Sequence, residues 1–546
     1  MKQWIALAAL ALAQASSAAT LVHNVHGYTM DGETVREFVA MEFDDGKVTA
    51  LYESEEASEA STAETSIDGE GATLLPGLID AHGHVSSLGR ALASVNLVGA
   101  TSEAEAVERV VAFAKANPDA PWIVGRGWNQ VLWEGKQFPD RQSLDAVGDR
   151  PVALQRIDGH SMWVNSMALE MAGIDRETVD PEGGQIVRDV AGRATGVLVD
   201  NAMSPVFAAI PTDTDELIAQ FQLTALNNLA ANGITSVHDA GITAQELRGF
   251  DSLLAAGNMP VRVYAMLDVL DPENDKNLAT GPREDEASLL SVRSVKISAD
   301  GALGSRGAAL FEDYSDDPGN KGLLLLTPEQ LTHHMNRAAA AGFQVNTHAI
   351  GDLANDRVLS EYERLNKEAE TRALRHRVEH AQILRPADID RFEAAGIVAS
   401  IQPVHATSDK NMAGDRLGDV RLKGAYAWHA LLASGAQLAG GSDFPVEEVN
   451  PFLGLHAAVT RQSRDNHPEG GWLPGEKLDR AETLHLFTQG SAYSAHQEEL
   501  IGTLLPGFSA DFILLRDNYF TVDEQDIWKN KVLSTYVAGR RVYQAP

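Results

Sequence analysis

The stretch Leu75-Pro76-Gly77-Leu78-Ile79-Asp80-Ala81-His82-Gly83-His84 decides how the chain is read. Pro76-Gly77 punctuates the start of an apolar run, Leu78 to Ala81, that reads as a short strand. Side chains alternate along a strand, so His82 and His84, two apart, share a face at its end. Two imidazoles on one face can grip a divalent ion from one side and leave its other side open. A catalytic metal needs that opening and a structural one lacks it. The chain holds 17 histidines, so this pair alone is weak evidence; its partners lie downstream.

Beyond the opening stretch, strand-like and helix-like runs alternate, the pattern of an α/β domain with parallel strands. After Leu78–His82 the strand-like runs are Ile234–His238, Val261–Leu267, Val292–Ile297, Gln344–His348, His376–His380, Ile397–Pro403 and Gln437–Ser442. Helical patterns over 328–341, 353–372 and 386–395 separate several of them. Eight such units in residues 75–489 predict a (β/α)8 TIM barrel. The gap between the first two strands, about 87–233, is far too long for one connection. It predicts an inserted subdomain, read here as a lid over the barrel mouth with Trp128, Trp133 and Trp163 as aromatic pocket walls, a purely structural insert being the alternative. Residues 20–74 and 490–546 carry short runs broken by Gly, Pro and Asp. Each end is too small to bury a core alone, so together they predict a composite β-sandwich domain.

Active sites of TIM barrels are built at the C-terminal ends of the strands. Reading those ends in order gives His82 and His84 on the first strand, Lys296 on the fourth, His348 on the fifth, His380 on the sixth and Asp443 on the eighth. Each is separately explicable, but six metal-compatible side chains on one rim predict a metal site. His160 in the insert, His238 on the second strand and His405 just past the seventh are candidate substrate contacts. His376 shares strand parity with His380 but lies four residues back, toward the closed end of the barrel.

Composition narrows the partners. Lys plus Arg is 44 against 77 Asp plus Glu, a formal charge of −33, which argues against nucleic acid or an anionic membrane surface. The absence of cysteine excludes disulfides, thiolate zinc sites and cysteine nucleophiles, so a metal must be held by nitrogen and oxygen. Residues 1–19 read as an export signal: Lys2, an apolar run from Trp4 to Ala13, then Ser16-Ser17-Ala18-Ala19. The expectation is an exported, periplasmic or secreted protein with no membrane span after signal removal. Homo-oligomerisation is left open. No phosphate-cradling glycine loop and no Gly-x-Ser-x-Gly elbow is evident, which argues against nucleotide cofactors and a serine hydrolase.

The pattern resembles the amidohydrolase superfamily of metal-dependent hydrolases, and within it the YtcJ-like branch that includes N-substituted formamide deformylases. The resembling pieces are the opening stretch, Asp158-Gly159-His160-Ser161, Trp163-Val164-Asn165, Lys296 followed by Ala299-Asp300-Gly301-Ala302-Leu303-Gly304-Ser305-Arg306, and His348-Ala349-Ile350-Gly351-Asp352. They continue with Arg377-Val378-Glu379-His380-Ala381-Gln382, Gly441-Ser442-Asp443-Phe444-Pro445 and Leu505-Pro506-Gly507-Phe508-Ser509-Ala510-Asp511. The resemblance implies that His82, His84 and Asp443 hold one metal, that His348 and His380 hold a second, and that Lys296 bridges them as a carbamate. One or two divalent ions, zinc foremost, are the implied cofactor. The implied reaction is hydrolysis of a C–N bond in a small amide or formamide, with metal-bound hydroxide attacking the carbonyl and Asp443 as base and then acid. Hydrolysis of a cyclic amide or ester, or deamination of a heterocycle, at the same site is the alternative enzyme reading. A non-catalytic exported binding protein is the alternative from another class.

Overall fold

The computed structural model describes residues 19–546 apart from residue 158. The export-signal reading therefore lies, but for Ala19, outside the described residues. Among the described residues no helix is long and apolar enough to cross a membrane. The chain divides into two compact units: residues up to 83 with 227–243 and 259–546, and residues 84–226 with 244–258.

The first unit is organised on eight strands: Leu78–Gly83 (β1), Ile234–Ile242 (β2), Arg262–Asp268 (β3), Leu290–Ser298 (β4), Gln344–Ala349 (β5), Arg377–His380 (β6), Val398–Ile401 (β7) and Gln437–Gly440 (β8). They pair in chain order, and every ladder between them is parallel. All eight expected strands are present, with ends shifted by a few residues. Their near-continuous burial explains why the sequence shows apolar runs rather than strict alternation.

The ring between β1 and β8 is closed by side chains and by the loop after β8. The Asp443 N–H donates to the His82 carbonyl at 2.7 Å, and Gly83 lies opposite Phe444 as a single bridge. Asp80 Oδ1 accepts from the His82 N–H at 3.1 Å and from the Ser442 N–H at 3.0 Å, while Oδ2 accepts from the Ser442 hydroxyl at 2.6 Å. This contact is close enough that a Cβ on Gly441 would stand 2.6 Å from His82 N and 2.8 Å from Asp80 Oδ1. Only glycine fits there.

This unit has two further sheets, one built from the N-terminal end alone and one shared by both chain ends. Lys47–Tyr52, Ala40–Asp44, Thr20–His23 and Thr65–Asp68 form one; Arg540–Gln544, Val532–Val537, Phe512–Leu515, Thr73–Pro76, His26–Asp31 and Thr34–Phe38 form the other. Phe512–Leu515 runs antiparallel to Thr73–Pro76. Val22, Phe38, Met41, Phe43, Leu74, Phe512, Leu514 and Tyr536 share one apolar core, so residues almost 500 positions apart exclude water from one another.

The second unit has its own six-stranded sheet, ordered Gly184–Arg188, Ala194–Asp200, Ser161–Val164, Val152–Arg156, Ile123–Trp128 and Val95–Asn96. Here one expectation is corrected. Trp128, Trp133 and Trp163 are not pocket walls: all three are buried and pack edge-on or tilted against one another at 6.1–6.3 Å. Their indole N–H groups donate to the carbonyls of Leu154, Ala100 and Asp140. A buried tryptophan satisfies its one donor this way, so these residues form the unit's core.

Candidate metal centre

His82, Lys296, His348, His380 and Asp443 meet around one point at the C-terminal end of the barrel. His82 is wholly buried at the end of β1. Its Nε2 lies 3.3 Å from Lys296 Nζ and 3.7 Å from Asp443 Oδ1. The His380 ring centroid is 4.8 Å from that of His82 and 4.5 Å from that of His348. Single ligand atoms of His82, His380 and Asp443 all fall within 4.8 Å of one another. His84 directly follows β1, half-buried at the N-cap of the helix Val85–Leu92. The strand on which it was to share a face with His82 has ended at Gly83.

The electrostatics keep the nitrogens unprotonated. Burial first, and the Lys296 charge second, push His82 down to about 4 and His348 down to about 3. Burial, then His348, hold His380 well below the ordinary imidazole range. Burial also lowers the Lys296 ammonium. The second ring nitrogens are engaged: His82 Nδ1 is 2.5 Å from Glu379 Oε2, and His380 Nδ1 is 2.8 Å from Gln402 Oε1. Their Nε2 atoms are thus left as electron-pair donors. His348 Nε2 and His405 Nε2 are buried atoms with no hydrogen bond, although Asp300 Oδ1 and Asp443 Oδ2 each approach them to 3.5 Å. Neutral imidazoles, a carboxylate and a lysine, with no thiol, form a donor set that fits a divalent ion with borderline to hard preferences.

The backbone is strained where these residues turn inward: φ is 76° at His380, 42° at Ala381 and 63° at Asp443. Non-glycine residues at positive φ persist only where their surroundings over-determine them. Asp300 Oδ1 and Oδ2 hold the turn after β5 by accepting from the backbone N–H groups of Ile350, Gly351 and Ala309. Burial nevertheless pushes this carboxyl up to about 7.

Of the candidate substrate contacts, His405 adjoins the cluster. Its ring stacks on His380 at 5.8 Å and 20°, and it faces Asp443. His238 lies inside the barrel, where its Nδ1 accepts from Arg377 Nη1 at 2.9 Å. His160 is an exposed residue of the second unit, paired with Asp200 at 2.8 Å. Sequence reading passed over Asp80, Asp300, Arg377, Glu379 and Gln402. Asp80 and Glu379 each lie within two residues of a candidate ligand in a quoted motif, so proximity was the available signal.

A protein-family model described as "Amidohydrolase family" matches residues 65–543. The chain belongs to the amidohydrolase family. The chain is 32% identical over 506 residues to a protein of Bacillus subtilis (strain 168) named "Putative amidohydrolase YtcJ", covering 91% of this chain and 94% of that one. It is 26% identical to an N-substituted formamide deformylase of Arthrobacter pascens, over 88% of this chain and 90% of the other. Among solved structures, an uncharacterised metal-dependent hydrolase from Pyrococcus horikoshii OT3 superposes with a TM-score of 0.77 at 28% identity, covering 93% of this chain and 99% of that chain. These relatives place the chain in the YtcJ-like branch of the amidohydrolase family.

Proposed function

We propose that the amidohydrolase cleaves the C–N bond of a small amide or formamide, using zinc held by His82, His84, His348, His380, Asp443 and a carboxylated Lys296. The observation that carries this reading is the meeting of neutral, buried imidazoles with Lys296 and Asp443 at one barrel rim. The metal, when bound, supplies Lewis-acid polarisation of the substrate carbonyl and lowers the pKa of the attacking water. The lowered Lys296 ammonium favours the neutral amine, the form that adds CO₂ to give an anionic oxygen ligand. The Asp443 carboxylate accepts a proton from the attacking water and returns it to the departing amine nitrogen. His405, facing Asp443 Oδ2 at 3.5 Å, can donate from Nε2 to that carboxylate or to the developing oxyanion.

The formamide preference is supported by the Arthrobacter pascens relative alone. Export is supported by the signal-like composition of residues 1–19. A lid role for the insert and a sandwich arrangement of the terminal sheets complete the reading.

The test is one assay series. Metal-stripped protein, zinc-reconstituted protein and reconstituted D443N are incubated with panels of amides, formamides, cyclic amides, esters and aminated heterocycles, with amine, formate, carboxylate and ammonia measured. Amine release by the reconstituted protein only, with D443N slower by about 10²–10⁴-fold while retaining its metal, is expected. Full turnover without metal would defeat the proposal. Turnover of esters or heterocycles alone would move it to the alternative bond.

A further inference from the structure

Arg377 and Glu379, two apart on β6, both point into the barrel, and neither is a metal ligand. Glu379 is wholly buried. Its Oε2 lies 2.5 Å from His82 Nδ1, and its Oε1 lies 2.8 Å from Arg377 Nε. Arg377 is itself held on every side. Nη1 donates to His238 Nδ1 at 2.9 Å and Ser494 Oγ at 3.3 Å; Nη2 donates to the Ala81 carbonyl at 2.7 Å and Ser400 Oγ at 3.1 Å. A buried guanidinium with its donors engaged from β1, β2, β7 and the helix Gln489–Ser494 has no freedom to rotate. Glu379 inherits that rigidity and passes it to the imidazole.

The contrast with His380 is informative. Its Nδ1 faces the neutral amide oxygen of Gln402 at 2.8 Å, whereas His82 faces a carboxylate. An anionic acceptor on one ring nitrogen raises the basicity of the other and fixes both tautomer and ring orientation. We infer that Glu379 is the positioning residue of the metal centre: clamped by Arg377, it holds His82 as the Nδ1–H tautomer with Nε2 toward the ion, and makes His82 a stronger donor than His380. This rests on the metal-centre reading above. It concerns how tightly and in what geometry the ion is held, not the bond that is cleaved.

The test uses the full chain, metal-stripped and titrated with Zn²⁺ or Co²⁺ alone against a chromophoric chelator. E379Q gives His82 the same kind of neutral acceptor that His380 already has, with little change of shape. The expected result is a circular-dichroism spectrum like wild type, metal binding weaker by about 10–100-fold and an altered Co²⁺ ligand-field spectrum. E379Q matching wild type in affinity and cobalt spectrum would overturn the inference while leaving the metal centre standing. Wild type failing to take up either ion would overturn both. Should E379Q not fold, ¹⁵N-histidine NMR of zinc-loaded wild type decides, with the His82 signal assigned by its loss in H82Q. A proton on Nδ1 with Nε2 ligated is expected, and the reverse tautomer would refute the assignment.

Discussion

His380 sits at φ 76°, and that one dihedral explains where strand logic failed. Alternation along β6 puts His376, Val378 and His380 on one side, Arg377 and Glu379 on the other. The inward pair is Arg377 and Glu379; His380 joins them only because its backbone leaves the β region. His376 instead stacks on Tyr362 of the helix Asp352–Leu365, with ring centroids 5.1 Å apart, and its Nδ1 accepts the Val345 N–H at 3.1 Å. Burial pushes His376 from 6.5 down to about 3. A neutral imidazole in the folded state and a protonatable one in the unfolded state mean that the unfolded chain binds more protons below pH 6.5. The stabilisation is therefore complete above 6.5 and is lost as pH falls toward 3. Asp80, raised by burial to about 6, and Asp300 act in the opposite sense, so the whole-protein curve mixes signs. The comparison with H376N isolates the histidine, since asparagine can accept the Val345 N–H without titrating. The wild-type minus H376N difference in urea midpoint should shrink steadily from pH 7 to pH 4.5, and a constant difference would remove His376 as the cause.

At the scale of elements, the barrel strands were legible because eight apolar runs each have the length of a strand and alternate with helical patterns. Their ends were not, because a ladder stops where a turn or a side chain takes over its hydrogen bonds. β8 is the clearest case: it ends at Gly440, and Asp80 then bonds the Ser442 backbone and hydroxyl. G441A would force a methyl group against His82 N, which is backbone, and Asp80 Oδ1, which is pinned by the His82 and Ser442 N–H groups. We expect it to cost about 1–3 kcal/mol by urea unfolding. Metal uptake should fall too, because the same contact carries the backbone of both His82 and Asp443. Unchanged stability and metal content in G441A would show that the closure tolerates rearrangement.

At the scale of the whole chain, residues 20–76 and 504–544 share one sheet and one core. Removing residues 503–546 would strip Thr73–Pro76 of its antiparallel partner and expose Leu74, Phe38 and Phe43. The truncated protein is expected to be insoluble or to lack a cooperative thermal transition, and a soluble, cooperatively melting product would show that the N-terminal strands stand alone. The sequence by itself determined the parallel α/β barrel, the pairing of distant ends and the His, Lys and Asp side chains at the strand ends, because strand periodicity and apolar run length are local properties written residue by residue. Only the tertiary structure decided that the tryptophans are core, that the first strand stops at Gly83, and that Arg377, Glu379, Gln402 and Asp80 brace His82 and His380. Those are facts about which buried polar groups find each other across the barrel, and hydrogen-bond partners hundreds of residues apart leave no period in the chain.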